Sequence, residues 1–476
     1  MEKLKVGLVG SSQLSFPGDK KGAFDASAKA LEAQSKKLGF DLYVYPDTVI
    51  TEADAEKAVA AVEQAGCDFL LAQATSFSAG FLAPVFAKAK CSLGLWAIPE
   101  GAVDGVVPFN SFCTLNMYSS IIGHYLKDYD IPFKWFFGDV GDELFIERFR
   151  LTVKVLTAIK NMRRSKIALI GGIAPGFNDL YFDERVYLKR FEGMKINRLM
   201  EFNDVYDLAM SYTDKEAEKE AEAYAGLSTG VHDASKKHAC LNAKLIKAYH
   251  QVCEKEGFDA LAVSCWPKYQ DKLDYSVCSV VGRLNDDGIP TACEGDLPSA
   301  ISMLLLQYLS DQPTMLMDMS AFDEKDETVL MWHCGPAASN FCRNDGYTLG
   351  VNYHGKAHTP GQAPNCCGVT RDMVFKAQEV TMGRLAGEGD KLFIGGGTFI
   401  DYDKPSFFGS RGWLGKLEFA GEAISARDFT NTILVKKFQH HFPIAAGNLQ
   451  NELFELAGWL NLDVVEKANY KPYLQR

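Results

Sequence analysis

The chain has 476 residues, 47% of them apolar and 23% charged, and a formal net charge of −11. That length calls for two or three domains of about 100 to 200 residues each, and that composition is the one of a folded globular chain rather than a disordered one. The acidic balance argues against a sequence-independent grip on nucleic acid or anionic lipid, both of which need clustered Lys and Arg, so a small solute is the expected partner.

The first element, within "EKLKVGLVG", starts almost at Met1 and leaves no room for a signal peptide. With no run of eighteen apolar residues to span a membrane, a cytoplasmic location is expected. From there strands rich in Val, Leu and Ile alternate with amphipathic helices at Gly22 to Leu38 and Ala53 to Ala65, through "DFLLAQAT" and "CSLGLWAIP". This is the pattern of a doubly wound parallel α/β domain, placed at residues 1–165. A long amphipathic helix from about Glu143 to Arg164 leads into "SKIALIGGIAPGF", where the pattern restarts and a second α/β domain, residues 166–345, is expected. Beyond 345 short β-like pieces such as "YTLGVNYHG", "KLFIGGGTFI", "GKLEFAGEA" and "TILVKKFQHHFPIAAG" are separated by Gly, Pro and Asn. They indicate a β-rich, barrel-like C-terminal domain, residues 346–476, closed by a helix at Leu449 to Leu460.

The twelve cysteines are scattered and are read as reduced thiols, several in apolar strands, as at Cys265 and Cys293. Cys366 and Cys367 are adjacent, which is not a zinc-knuckle spacing. Neither "GLVGSSQL" nor "GGIAPGF" gives G-x-G-x-x-G, and no G-x-x-x-x-G-K-[ST] occurs, so a nucleotide-dependent dehydrogenase is disfavoured and a P-loop excluded.

Chemistry is concentrated in "TACEGDLPSAISMLLLQYLSDQPTMLMDM", residues 291 to 319. Read as strand, helix with Pro298 in its first turn, and a second parallel strand, it is one β-α-β unit with Glu294 and Asp318 near the carboxyl ends of its strands, where open α/β sheets bind ligands. Two carboxylates brought together repel unless one is protonated or a cation lies between them, and a divalent ion is the simpler solution. Histidines at 333, in "MWHCGP", and at 440 and 441, in "KKFQHHFPIAAGN", would shift the preference from Mg²⁺ toward Mn²⁺, Fe²⁺, Co²⁺ or Zn²⁺. Strand alternation lets only one of the paired histidines face a site unless the backbone bulges, and the more polar face favours His441. Singly, each residue has an ordinary reading: Glu294 at a helix N-terminus, Asp318 opening a turn, a hydrogen-bonded core histidine. Their joint placement carries the functional one.

The segments "CEGDLPSAISMLLLQYL", "MLMDMS", "LMWHCGP" and "HHFPIAAGN", with the order of domains, resemble the L-fucose isomerase and L-arabinose isomerase superfamily, on its fucose isomerase branch. The resemblance implies a metal-dependent aldose-ketose isomerase working through a cis-enediol, with Mn²⁺ (Co²⁺ or Mg²⁺ in its place) on Glu294, Asp318 and His441 and the two carboxylates as base and acid. It implies a homo-oligomer, a hexamer or a dimer. His333 and His440 are then assigned to substrate, and Trp266, Lys268 and Gln270 in "SCWPKYQ", Arg343, Arg411 and Trp413 are further sugar-contacting candidates. A neutral 6-deoxy or pentose sugar such as L-fucose or D-arabinose ranks ahead of a C6 sulfonate such as sulfoquinovose. The rival from another class is a sugar sensor with two hinge-linked α/β domains.

Overall fold

The computed structural model describes residues 1–231, 235–273, 277–350, 370–386 and 389–475. Cys366, Cys367 and most of "YTLGVNYHG" lie outside them. The chain forms two compact units, Met1–Asn161 with Glu455–Asn461, and Met162–Phe454 with Leu462–Arg476.

The first unit is built on five parallel strands, β1 (Lys5–Ser11), β2 (Asp41–Val44), β3 (Phe69–Ala74), β4 (Ser92–Ala97) and β5 (Phe133–Phe137), in the doubly wound order β2-β1-β3-β4-β5. The expected helices are present at Lys20–Leu38 and Glu52–Gln64, the second opened by a capping box between Thr51 and Asp54. β3 is buried along its whole length, as a central parallel strand covered on both faces must be.

The second unit contains two sheets. Four parallel strands run in the order Thr291–Ala292, Ala260–Val263, Lys166–Ile170, Lys195–Asn197. The other sheet is larger and mostly antiparallel. Within it the strands Lys391–Phe399, Glu379–Ala386, His441–Ala446, Met315–Asp323, Thr328–His333 and Ser410–Phe419 pair in that sequence, and the last pairs back onto the first, closing a six-stranded barrel.

This arrangement corrects the β-α-β reading of residues 291 to 319. Thr291–Ala292 lies in the parallel sheet, but Met315–Asp323 joins the barrel, antiparallel to both neighbours. Thr328–His333, also expected in the second α/β domain, is a barrel strand too. The cause is legible in the intervening helix, Leu297–Ser310, in which every residue from Leu297 to Leu306 is buried. A crossover helix on one sheet face needs only one apolar stripe, whereas this helix is apolar all round and contacts strands of both sheets. A second correction concerns "TILVKKFQHHFPIAAG". Its first four residues belong to a helix, Ala426–Val435, started by the Ser425 cap on Asp428, and only His441–Ala446 is strand.

The position of Leu304 at the centre of the enclosed helix, with no exposed surface, makes a direct test. Leu304→Ala should lower unfolding stability by about 3 kcal/mol, read from a denaturant midpoint shift at constant slope; a loss below about 1 kcal/mol would show that the helix is not a core element.

Candidate metal and sugar site

The site forms where the N-terminus of the buried helix meets the barrel. Glu294 follows the strand Thr291–Ala292 by two residues and has a left-handed backbone, φ 61°, which is strained for a residue with a side chain. Its carbonyl accepts a hydrogen bond from Ala174 N at 2.9 Å. The next residue, Gly295, also has positive φ, and a Cβ there would stand 2.3 Å from the Gly172 carbonyl oxygen. The "GGIAPGF" loop therefore fixes the turn that aims Glu294, and only glycine fits beneath it.

Asp318 and His441 are directly opposed on neighbouring antiparallel strands, so their side chains share a face. His441 Nε2 lies 3.6 Å from Asp318 Oδ1 and 3.6 Å from Glu294 Oε2. Asp318 Oδ1 and His441 Nε2 are both inaccessible to solvent and make no hydrogen bond. Buried polar atoms are almost always satisfied. His441 Nε2 thus has a carboxylate oxygen on either side, and the groupings whose ligand atoms lie within 4.8 Å of one another are Glu294 with His440 and His441, and Asp318 with His333 and His441. Two orphaned atoms in such a cluster are what a divalent cation would complete, and the mixed carboxylate and imidazole set suits Mn²⁺, Co²⁺ or Zn²⁺ better than Mg²⁺. His333, the last residue of its strand, stacks on His441 with ring centroids 5.6 Å apart and lies within 4.8 Å of both Asp318 and His441, as close as a further ligand would be.

His440 is brought into the same cluster. It precedes the strand, at a bend, so the alternation that would separate it from His441 does not yet apply. Its Nε2 is 3.2 Å from Glu294 Oε2 and its Nδ1 2.7 Å from Asp179 Oδ2. Burial opposes its charge, but the hydrogen bonds to Glu294 and Asp179 outweigh this and hold its pKa up at about 9. A raised pKa favours the imidazolium form of His440 as a counter-charge to Glu294, and its ring also stands with Glu294 and His441 in a grouping whose ligand atoms lie within 4.8 Å of one another.

Two buried charged groups that the sequence reading passed over orient the cluster. His441 Nδ1 is 3.0 Å from Asp296 Oδ2, and Arg384 Nη1 is 2.9 Å from the same oxygen. Asp296 and Arg384 are almost completely enclosed, at 0% and 1% side-chain exposure. Burial acts against the Asp296 charge, yet the Arg384 guanidinium and then His441 hold its carboxyl well below the usual carboxylate range. A carboxylate behind the imidazole fixes the His441 tautomer with Nε2 unprotonated toward Asp318, the arrangement found behind metal-bound histidines.

The other sequence candidates divide. Phe177 packs between His440, at 5.7 Å, and the edge of Trp266, at 6.2 Å, so the half-exposed Trp266 adjoins the cluster. Lys268 is tied to the Gly171 carbonyl at 2.9 Å, and Gln270 is buried. Arg343, Arg411 and Trp413 line a separate cavity of about 670 Å³ that has no residue in common with the histidine and carboxylate cluster. Arg343 is engaged by Asp345 and Asp403. The ten cysteines among the described residues are free thiols, as expected.

No family model matches the chain. It is 26% identical over 405 residues to the sulfoquinovose isomerase of Priestia megaterium, covering 83% of this chain and 84% of that protein. It is likewise 26% identical over 397 residues to the sulfoquinovose isomerase of Clostridium sp. (strain MSTE9), covering 82% and 83%. Among solved structures, an ABC transporter solute-binding protein from Agrobacterium vitis with bound tagatopyranose is 12% identical over 65% of this chain and 90% of its own, at a TM-score of 0.18. That score carries no argument about fold or function. Among the described residues no helix is long and apolar enough to cross a membrane.

Burial, against the pull of His441 and His440 and with Glu294 adding to it, raises the Asp318 pKa to about 6. An unfolded Asp titrates near 4, so the folded state holds this proton more tightly. Its contribution favours folding below about pH 4 and turns into a cost as the pH rises through 6, on the order of 2 kcal/mol. Asp318→Asn should therefore raise the Tm of the metal-stripped protein at neutral pH, lose that advantage near pH 4, and abolish the Tm increase on adding Mn²⁺. A metal-stripped variant less stable than wild type at neutral pH would contradict this.

Proposed function

We propose that this chain is an aldose-ketose isomerase whose substrate is a hexose carrying a C6 sulfonate, of the sulfoquinovose type, and that it works with a divalent ion held by Glu294, Asp318 and His441. The observation that carries the metal reading is the pair of buried, unpartnered atoms, Asp318 Oδ1 and His441 Nε2, facing Glu294 Oε2. The substrate class is supported by the curated relatives, which align over more than four fifths of the chain. On this reading an anionic six-carbon sugar ranks ahead of the neutral 6-deoxy or pentose sugar preferred from sequence.

Isomerisation moves a proton between C2 and C1 and a second between O2 and O1, and its obstacle is the weak acidity of a C–H beside a carbonyl. A divalent ion held by Glu294, Asp318 and His441 would supply Lewis-acid polarisation of the sugar carbonyl. Glu294 is the base: its carboxylate projects from a rigid, strained turn, takes the proton from C2 to leave a cis-enediol, and returns it at C1. His440, hydrogen-bonded to that carboxylate, stabilises Glu294 as an anion before the transfer and again once the proton has been returned at C1. Asp318, whose surroundings favour the protonated form more than those of an ordinary aspartate, is suited to exchange a proton with the sugar hydroxyls. The Phe177 and Trp266 rings beside His440 offer an apolar wall for sugar C–H groups.

Proton NMR in D₂O with Mn²⁺ and sulfoquinovose tests the proposal. Wild type should incorporate deuterium at the exchanging carbon and form the ketose, and EDTA should stop both. Glu294→Gln should keep the circular dichroism of the wild type and lose exchange by about 10²-fold or more. Near-normal exchange in that variant would remove Glu294 from the role of base.

A further inference from the structure

His441, Asp318, Trp332 and Arg411 form a row across four successive strands. Asp318 opposes His441 on one side and Trp332 on the other, and Trp332 in turn opposes Arg411. Opposed residues of antiparallel strands project from the same face, so all four side chains stand on the side of the sheet away from Met317, Met331 and Phe442, which join the main apolar core. Asp318 and Arg411 are two strand spacings apart, about 10 Å. The partly exposed Trp332 indole lies between them and is fixed by its Nε1 bond to the Phe408 carbonyl at 2.7 Å. A six-carbon sugar gripped by its C1 and C2 oxygens at the Asp318 end would reach the Arg411 end with C6.

Arg411 is held for such a task. Its Nε donates to Ser406 Oγ at 3.1 Å, and its Nη1 to the Gly409 carbonyl at 2.8 Å and to Asp372. Its Nη2 donates to no group among the described residues, so two N–H bonds of a braced guanidinium are left over. Arg411 lines the 670 Å³ cavity, as does Lys376. The Lys376 ammonium likewise has no hydrogen-bond or ion-pair partner there, while Arg343 and Lys404 on the same wall are committed to Asp345, Asp403, Asp323 and Asp326. The cavity wall thus carries the Lys376 ammonium, without a carboxylate partner among the described residues, and the Arg411 guanidinium, paired with Asp372 through Nη1 but with Nη2 left over, beside Asp401 and Asp403, and these two cations offer donors to an oxyanion.

We propose that Arg411, assisted by Lys376, reads the anionic C6 group of the substrate, and that the Trp332 indole is the platform over which the sugar lies between that group and the carboxylate and histidine cluster. This rests on the isomerase reading above for the sugar but not for the anion site. The shared ligand chemistry is a tetrahedral oxyanion, sulfonate or phosphate, on a short polyol.

Two measurements test it. In the first, exchange kinetics with Mn²⁺ are compared for sulfoquinovose, glucose 6-phosphate and the uncharged 6-deoxy-D-glucose. Arg411→Gln should raise KM for sulfoquinovose at least tenfold, with a smaller change in kcat, and lower the preference for sulfoquinovose over 6-deoxyglucose by at least tenfold; Lys376→Gln should move both in the same direction. An equal loss on charged and uncharged sugars would overturn the assignment. The glucose 6-phosphate arm distinguishes a sulfonate site, which discriminates against it, from a general oxyanion site. In the second, the metal-stripped protein is titrated with 3-hydroxypropane-1-sulfonate and with inorganic phosphate while indole fluorescence is followed. Saturable binding in wild type, weakened at least tenfold in both variants, supports the anion site even if no sugar is isomerised. Absence of binding in wild type, or undiminished binding in Lys376→Gln should Arg411→Gln fail to fold, would overturn it.

Discussion

The buried pair of Asp296 and Arg384 is the interaction on which the site depends. Removing two charges from water costs several kcal/mol each, and the cost is offset only when every remaining donor and acceptor is used. Here they are. Asp296 caps the helix Leu297–Ser310 through Ser299 N, and it accepts from Ser299 Oγ, Arg384 and His441. Arg384 also donates to Ser299 Oγ and to the His441 carbonyl. One carboxylate therefore joins the start of the enclosed helix to two barrel strands. It settles both the position of the His441 ring and which of its nitrogens is free.

Around that anchor the cluster is electrostatically unbalanced by design of the fold. Asp179, Glu294 and Asp318 meet His440 and His441 in a region where His441 is fully enclosed and Glu294 only slightly exposed. The imidazolium of His440 answers part of the negative charge, which leaves Asp318 holding a proton more tightly than an aspartate should. The strained Glu294 turn points the same way, since backbone strain persists only where the surrounding structure enforces it.

Much of this was legible in the sequence. The parallel units of the first domain follow from alternating Val- and Leu-rich strands and amphipathic helices, and Glu294, Asp318 and His441 stand out as polar side chains bordering apolar runs. What misled was the step from apolar run to β-α-β unit, because periodicity does not say which sheet a strand joins; the all-round apolar face of Leu297–Ser310 was the available clue. Asp296 was invisible because an Asp before Leu-Pro already has a sufficient job as a helix cap. Arg384 left a fainter signal, a lone cation within the buried strand "EVTMGRLA". The distinction between Arg343, held by Asp345 and Asp403, and Arg411, paired with Asp372 but with Nη2 to spare, depends on loops meeting in space and has no counterpart in the sequence.

Anomalous diffraction from crystals grown with Mn²⁺ tests the central claim most directly. One strong peak is expected in each chain, within bonding distance of Glu294 Oε2, Asp318 Oδ1 and His441 Nε2, with Asp296 still behind the His441 ring. Manganese located elsewhere, or absent from these three atoms at saturating concentration, would contradict it.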